Sequence, residues 1–239
     1  MERISSGIPG LDALIQGGFP AGSNILLIGP PMSGKSTIAM QFIHQGLILD
    51  EAGIFVSTND AAETVQRNML VFGWDTAPFE KRGAMKFVDC YSMMLDAKIS
   101  DTYSIRRIPS ALAFTRLNVV LSELCAQFWK LQTPIRVALD SVSSLLMYAN
   151  PEAVTRFLHV LAGRLKKLNA VNLLILEKGM HDARVETTLQ QLSDGVINLR
   201  HEGKERSLEI LGLTGTRCPE GAMPFEITEK GIQMLVSAT

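Results

Sequence analysis

The chain has 239 residues, 46% of them hydrophobic and 20% charged, which suits one ordinary globular α/β domain spanning residues 1–239 and excludes a disordered or fibrous protein. With 23 basic against 24 acidic residues its net charge is −1, so no overall field gathers nucleic acid or an anionic membrane; such binding would need a local patch. Cys90, Cys125 and Cys218 are odd in number and widely spaced, which excludes a disulfide framework and a zinc site, and Met1 is followed at once by Glu2 and Arg3 with no apolar stretch of signal or membrane-spanning length. A reduced, cytoplasmic setting without membrane insertion is expected.

In chain order, residues 24–28 form the first firm strand, ending in a glycine-rich turn from which a helix starts at Lys35 and runs to about residue 49. Further apolar runs at 53–58, 85–89, 135–140, 172–176 and 195–199 have strand length and little alternation, as buried parallel strands do. Helical periods lie between them: Leu117, Val120, Leu121, Leu124, Phe128 and Leu131 share one face, as do Val154, Phe157, Leu158, Leu161, Leu165 and Leu168. The polar stretch 91–109 lacks a clear period and reads as a surface excursion carrying Arg106 and Arg107. Segments 207–213, 225–228 and 232–236, separated by turn signals, read as an antiparallel edge. Alternating strands and crossovers predict a mainly parallel sheet between helices, with a ligand site at the carboxyl ends of the strands.

The motif at that turn is Gly29-Pro30-Pro31-Met32-Ser33-Gly34-Lys35-Ser36-Thr37. Phosphate binding needs converging backbone N–H groups, and Gly29 and Gly34 let the chain approach closely; Pro30, Met32 and Ser33 complete the loop. The helix N-terminus adds partial positive charge, Lys35 reaches the β and γ phosphates, Ser36 is placed to ligate Mg²⁺ and Thr37 to contact the α phosphate. Asp140, ending an apolar strand, fits the acid behind the metal, although an acid there is also a common helix cap. The ligands expected are ATP or ADP with Mg²⁺.

These residues, with Ser6-Gly7-Ile8-Pro9-Gly10-Leu11-Asp12, Gly17-Gly18-Phe19-Pro20-Ala21-Gly22-Ser23, Phe72-Gly73-Trp74-Asp75, Asp140-Ser141-Val142-Ser143-Ser144-Leu145, Ser193-Asp194-Gly195-Val196-Ile197 and Pro224-Phe225-Glu226-Ile227-Thr228, resemble a single KaiC-type domain of the RecA/RadA ATPase superfamily over nearly the whole chain. The resemblance implies a RecA-like P-loop fold and ATP held between subunits of a homo-oligomeric ring, often a hexamer. It also implies a carboxylate pair after the second core strand, where this chain has Asn59 and Asp60, and a Lys-x-Arg pair acting on the neighbouring subunit's γ phosphate, where it has Gly212 and Thr214.

An amide cannot take a water's proton near neutral pH, and losing charge stabilisation in trans costs on the order of 10³ or more in rate, so slow hydrolysis is expected. Arg217 is a substitute for the missing cations, and Asp60 and Glu177 join Lys35 as the candidate catalytic residues. The expectation is an ATP-binding protein whose nucleotide state regulates assembly or partner choice. The alternatives are an active ring ATPase using Asp60 or Glu177, and a recombination accessory protein that binds single-stranded DNA through Arg106, Arg107 or the helix side bearing Arg156, Arg164, Lys166 and Lys167. Trp74 and Phe72 read as core packing. His44, His159, His181 and His201 are never at ligand spacing.

Overall fold

The computed structural model describes residues 2–235. The chain opens with a two-stranded antiparallel ribbon, β1 (Arg3–Ile4) and β2 (Phe19–Pro20), around the short helix α1 (Leu11–Leu14). The core follows as β3 (Asn24–Gly29), α2 (Lys35–Ile48), β4 (Ala52–Ser57), α3 (Ala62–Val71), α4 (Ala77–Lys81), β5 (Met85–Asp89), α5 (Ser92–Leu95) and β6 (Ile105–Arg107). It continues through α6 (Phe114–Lys130), β7 (Ile135–Asp140), α7 (Val142–Tyr148), α8 (Pro151–Lys167), β8 (Val171–Glu177) and α9 (Ala183–Leu192). It closes with β9 (Gly195–Glu202), β10 (Glu205–Leu213), β11 (Met223–Thr228) and β12 (Gly231–Met234).

These strands form a ten-stranded sheet in the order β12-β11-β10-β9-β3-β8-β7-β4-β5-β6. From β9 to β6 every pair is parallel, and β10, β11 and β12 add the expected antiparallel edge. The parallel strands are apolar throughout because both faces are covered. In β3, Ile25 and Leu27 join the core under α2, while Leu26 and Ile28 join the core under α6, α7 and α8.

Topology carries the chain from β3 past β8 and β7 to β4, so the carboxyl ends of four neighbouring strands lie side by side. Gly29 pairs in register with Glu177, and Ser57 with Asp140. A crevice at such a reversal of strand order is where open α/β sheets bind ligands.

The motif segments outside this crevice are mostly pins. Asp194 accepts from the Asn24 backbone and side-chain amides (3.0 and 3.3 Å) and from Lys166 (2.6 Å), fixing the start of β9 to the start of β3. Trp74 is buried, stacked on Phe72 and His44, and lies so close to Gly231 that a Cβ there would meet its ring at 2.5 Å. The core reading of Phe72 and Trp74 therefore holds.

Residues 91–109 are not merely an excursion, because β6 pairs parallel with β5 inside them. Ile105 is buried, and Arg107 is buried through its ion pair with Glu63 and its bond to the Ser100 carbonyl. A three-residue strand with an arginine at a buried position gives no hydrophobic period to read. Arg106 alone faces outward, 3.3 Å from Asp101. Residue 236, the last of the expected 232–236 strand, lies outside the described residues.

Candidate functional site

The turn after β3 is built by exclusion of side chains. A Cβ on Gly29 would meet the Leu199 carbonyl at 2.8 Å and the Ser33 hydroxyl at 2.9 Å, so the close approach requires glycine. Gly34, with φ +102°, turns the chain into α2, and Met32, also at positive φ (+62°), stands out at the loop's apex.

Helix α2 starts without a side-chain cap and without an acid in its first turn. The Ile38 N–H bonds the Gly34 carbonyl at 2.9 Å, leaving the N–H groups of Lys35, Ser36 and Thr37 ahead of it. Uncapped N–H groups at the positive end of a 14-residue helix form an anion-binding arrangement.

Lys35 is 4% exposed, and its ammonium donates to the carbonyls of Gly29 (2.9 Å) and Pro30 (2.6 Å) and to Glu177 Oε2 (2.9 Å), with the Ser33 hydroxyl 3.3 Å away. Burial pulls its pKa below the usual lysine value, against the opposing pull of Glu177 and Asp140. Glu177 is itself held by its backbone N–H, which donates to Ser143 at 2.8 Å.

Asp140 faces this cluster from the end of β7. Desolvation pushes its carboxyl up to about 6; a hydrogen bond from Ser36 opposes the shift, Asp60 reinforces it, and weaker opposing and reinforcing effects come from Lys35 and Glu177. The cap of α7 is Ser141, whose hydroxyl accepts from the Ser144 N–H, so Asp140 is left to the site. The structure thus brings together Lys35, Ser36, Asp140 and Glu177, with Asp60 near enough to act electrostatically on Asp140. The Asp60 carboxylate itself makes no hydrogen bond among the described residues, while its backbone N–H and carbonyl are tied to Ser57.

Sequence reasoning missed a hydroxyl cluster behind Asp140. The Ser141 N–H donates to Thr58 Oγ1 at 2.7 Å, the hydroxyls of Thr58 and Ser141 lie 3.1 and 3.0 Å from Ser144 Oγ, and Ser144 Oγ lies 2.5 Å from Asn59 Oδ1. Its only sequence signal is the run of serines after Asp140, which also reads as an ordinary cap.

Gly212 and Thr214 lie at the other end of the sheet. Leu213 pairs with Gly195, which pairs with Ile25 at the start of β3. Arg217, beyond them, is exposed. A cavity of about 530 Å³ between Trp129, Pro134 and Leu168 also lies away from this cluster.

The family model for the ATPase KaiC matches residues 4–238. A UPF0273 protein of Thermotoga maritima is 31% identical over 242 residues, covering 97% of this chain and 95% of that protein. The circadian clock oscillator protein KaiC of Synechococcus elongatus is 30% identical over 98% of this chain, which spans 44% of that protein's length. The crystal structure of the KaiC-like protein PH0186 of Pyrococcus horikoshii superposes with a TM-score of 0.79 at 27% identity, covering 98% of this chain and 99% of that one.

Proposed function

Because the chain belongs to the KaiC ATPase family, we propose that it binds ATP with Mg²⁺ at residues 29–37, and that its nucleotide state, rather than rapid turnover, sets its assembly or choice of partner. The observation that carries the reading is the buried ammonium of Lys35 beside the uncapped start of α2, behind a Gly29 that leaves no room for a side chain. Phosphate oxygens fit the N–H groups of Lys35, Ser36 and Thr37, and Lys35 offsets the phosphate charge.

The Ser36 hydroxyl and the Asp140 carboxylate, close enough for Ser36 to influence the Asp140 charge, are hard oxygen donors, a set that fits Mg²⁺. Bound with the nucleotide, the ion would neutralise phosphate charge. Slow hydrolysis follows from Asn59, whose amide has no useful basicity where the family resemblance expects an acid. A homo-oligomer is part of the proposal: β10 ends across β9 from the start of β3, away from its own glycine loop, so Arg217, which follows it, is the cation offered to another copy's nucleotide. The whole of residues 1–239 is read as one domain.

Isothermal titration should show ATP binding that Lys35→Ala removes; equal affinity in the variant would refute the site. Light scattering with ADP, with ATP and without nucleotide should show a change in mass, and steady phosphate release at ordinary ATPase speed would refute the slow-turnover clause. A second reading, with active hydrolysis, draws on Glu177 in contact with Lys35 and on the unbonded carboxylate of Asp60. In that case, removing both acids abolishes turnover and spares binding. Of the residues named for the DNA-binding alternative, Arg107 is buried in an ion pair, while Arg106, Arg156, Arg164, Lys166 and Lys167 are exposed.

A further inference from the structure

Asn59 follows the carboxyl end of β4, the strand whose last residue, Ser57, pairs with Asp140, and it is exposed on the same sheet end as the phosphate-type loop. The 2.5 Å between Asn59 Oδ1 and Ser144 Oγ lies in the range of an O–H···O bond and below that of N–H···O, so the amide oxygen faces the serine.

The Thr58 and Ser141 hydroxyls stand 3.1 and 3.0 Å from Ser144 Oγ, and the Thr58 proton also faces the Asp140 and Ser141 carbonyls at 3.1 Å. The 2.5 Å contact, the shortest of those Ser144 Oγ makes, takes its proton to Asn59 Oδ1, and Asn59 Nδ2 has no partner among the described residues.

We propose that Ser144 positions Asn59 so that its Nδ2 donates to the terminal phosphate of a bound nucleoside triphosphate, making Asn59 the residue by which this chain tells triphosphate from diphosphate. The inference rests on nucleotide binding at residues 29–37. Asn59 is specificity-determining because its donor reaches a group that ADP lacks. Ser144 is a positioning residue, since without its hydroxyl the amide is free to turn either end outward. The same orientation explains how a position unable to act as base still takes part in the site: it reads charge where a carboxylate would repel it.

The test is isothermal titration in Mg²⁺ of the intact chain with ADP and with the non-hydrolysable β,γ-imido analogue of ATP. Asn59→Ala should weaken the analogue about tenfold, the loss expected for a hydrogen bond to a charged acceptor, and leave ADP within about twofold. Asn59→Asp, nearly isosteric but repelling the phosphate, should lose more, and the excess should shrink as salt is raised. Ser144→Ala should lose about threefold or more of the preference for the analogue with ADP binding intact, by the same hydrogen-bond argument.

Equal weakening of both nucleotides, or an unchanged ratio in Asn59→Ala and Asn59→Asp, overturns the proposal. An unchanged ratio in Ser144→Ala overturns the positioning role. Failure of the unaltered chain to bind either nucleotide is a different result, which refutes the nucleotide site itself.

Discussion

Lys35 Nζ stands 2.9 Å from Glu177 Oε2, joining the first turn of α2 to the carboxyl end of β8. The lysine side chain is 3% exposed and the glutamate 27%, so the pair is shielded on one side only. Removing the acid leaves a buried ammonium with only carbonyl and hydroxyl partners. Glu177→Ala should destabilise the fold by about 2 kcal/mol in urea unfolding, below the full cost of breaking a wholly buried pair because Glu177 is partly solvated. Lys35→Ala combined with Glu177→Ala should cost less than the sum of the two single changes, as a double-mutant cycle would show.

The desolvated Asp140 carboxyl costs stability once it is charged. Its folded pKa, about 6, stands above the ordinary value of 3.8, so between about pH 4 and 6 the folded chain holds a proton that the unfolded chain has lost. The stabilising influence of that proton is present below pH 4 and is gone once pH passes about 6. Asp140→Asn should therefore raise ligand-free stability at pH 7 by about 1 to 2 kcal/mol, with the gain fading towards pH 4. The same variant should weaken the Mg²⁺-dependent part of nucleotide binding, as titration with and without the metal would show.

Asp89 behaves in the opposite sense. Burial works against its charge, but bonds from the Ser92 hydroxyl and from the backbone N–H groups of Ser92, Ala62 and Tyr91 outweigh it and hold the carboxyl below its usual range. Its contribution is present above the ordinary carboxylate pKa and is lost as pH falls through the lower folded value. Asp89→Asn should cost about 3 kcal/mol at neutral pH, because the new amide meets donors with a donor. The gap from the unaltered chain should narrow in denaturation series taken below about pH 4.

Asn59→Glu supplies the acid that the family resemblance places after β4. At saturating ATP, which offsets the weaker binding that a carboxylate here brings, phosphate release should rise about tenfold, less than general-base catalysis can give, because Gly212 and Thr214 leave the trans cations missing. No increase would mean that the acid at this position does not limit turnover.

The parallel strands and the loop at residues 29–37 were legible because burial on both faces writes a strand as an unbroken apolar run, and because phosphate cradling restricts residue choice locally. The adjacency of Asp140 to Ser36 was inferable from topology alone. Contacts that join distant segments through small polar side chains were not legible: Asn59 and Ser144 are 85 positions apart and touch only because β4 lies beside β7. β6 stayed hidden for a related reason, since Arg107 is buried by Glu63, 44 positions away, and not by any pattern of its own. Glu177 could be named as a strand-end acid, but its partner Lys35 is revealed only by the Gly29 to Glu177 register.

Gln41 lies on the helix that begins at the glycine loop, yet its side-chain amide occupies the outer rim of β12. It donates to the Ile232 carbonyl at 3.0 Å and accepts the Ile232 N–H at 2.7 Å, while the Met234 N–H goes to the Pro9 carbonyl. A glutamine thus stands in for the strand that an open edge invites. While it keeps its place, a foreign segment cannot zip onto that border, which leaves β6, at the opposite margin, as the side where the sheet could be extended.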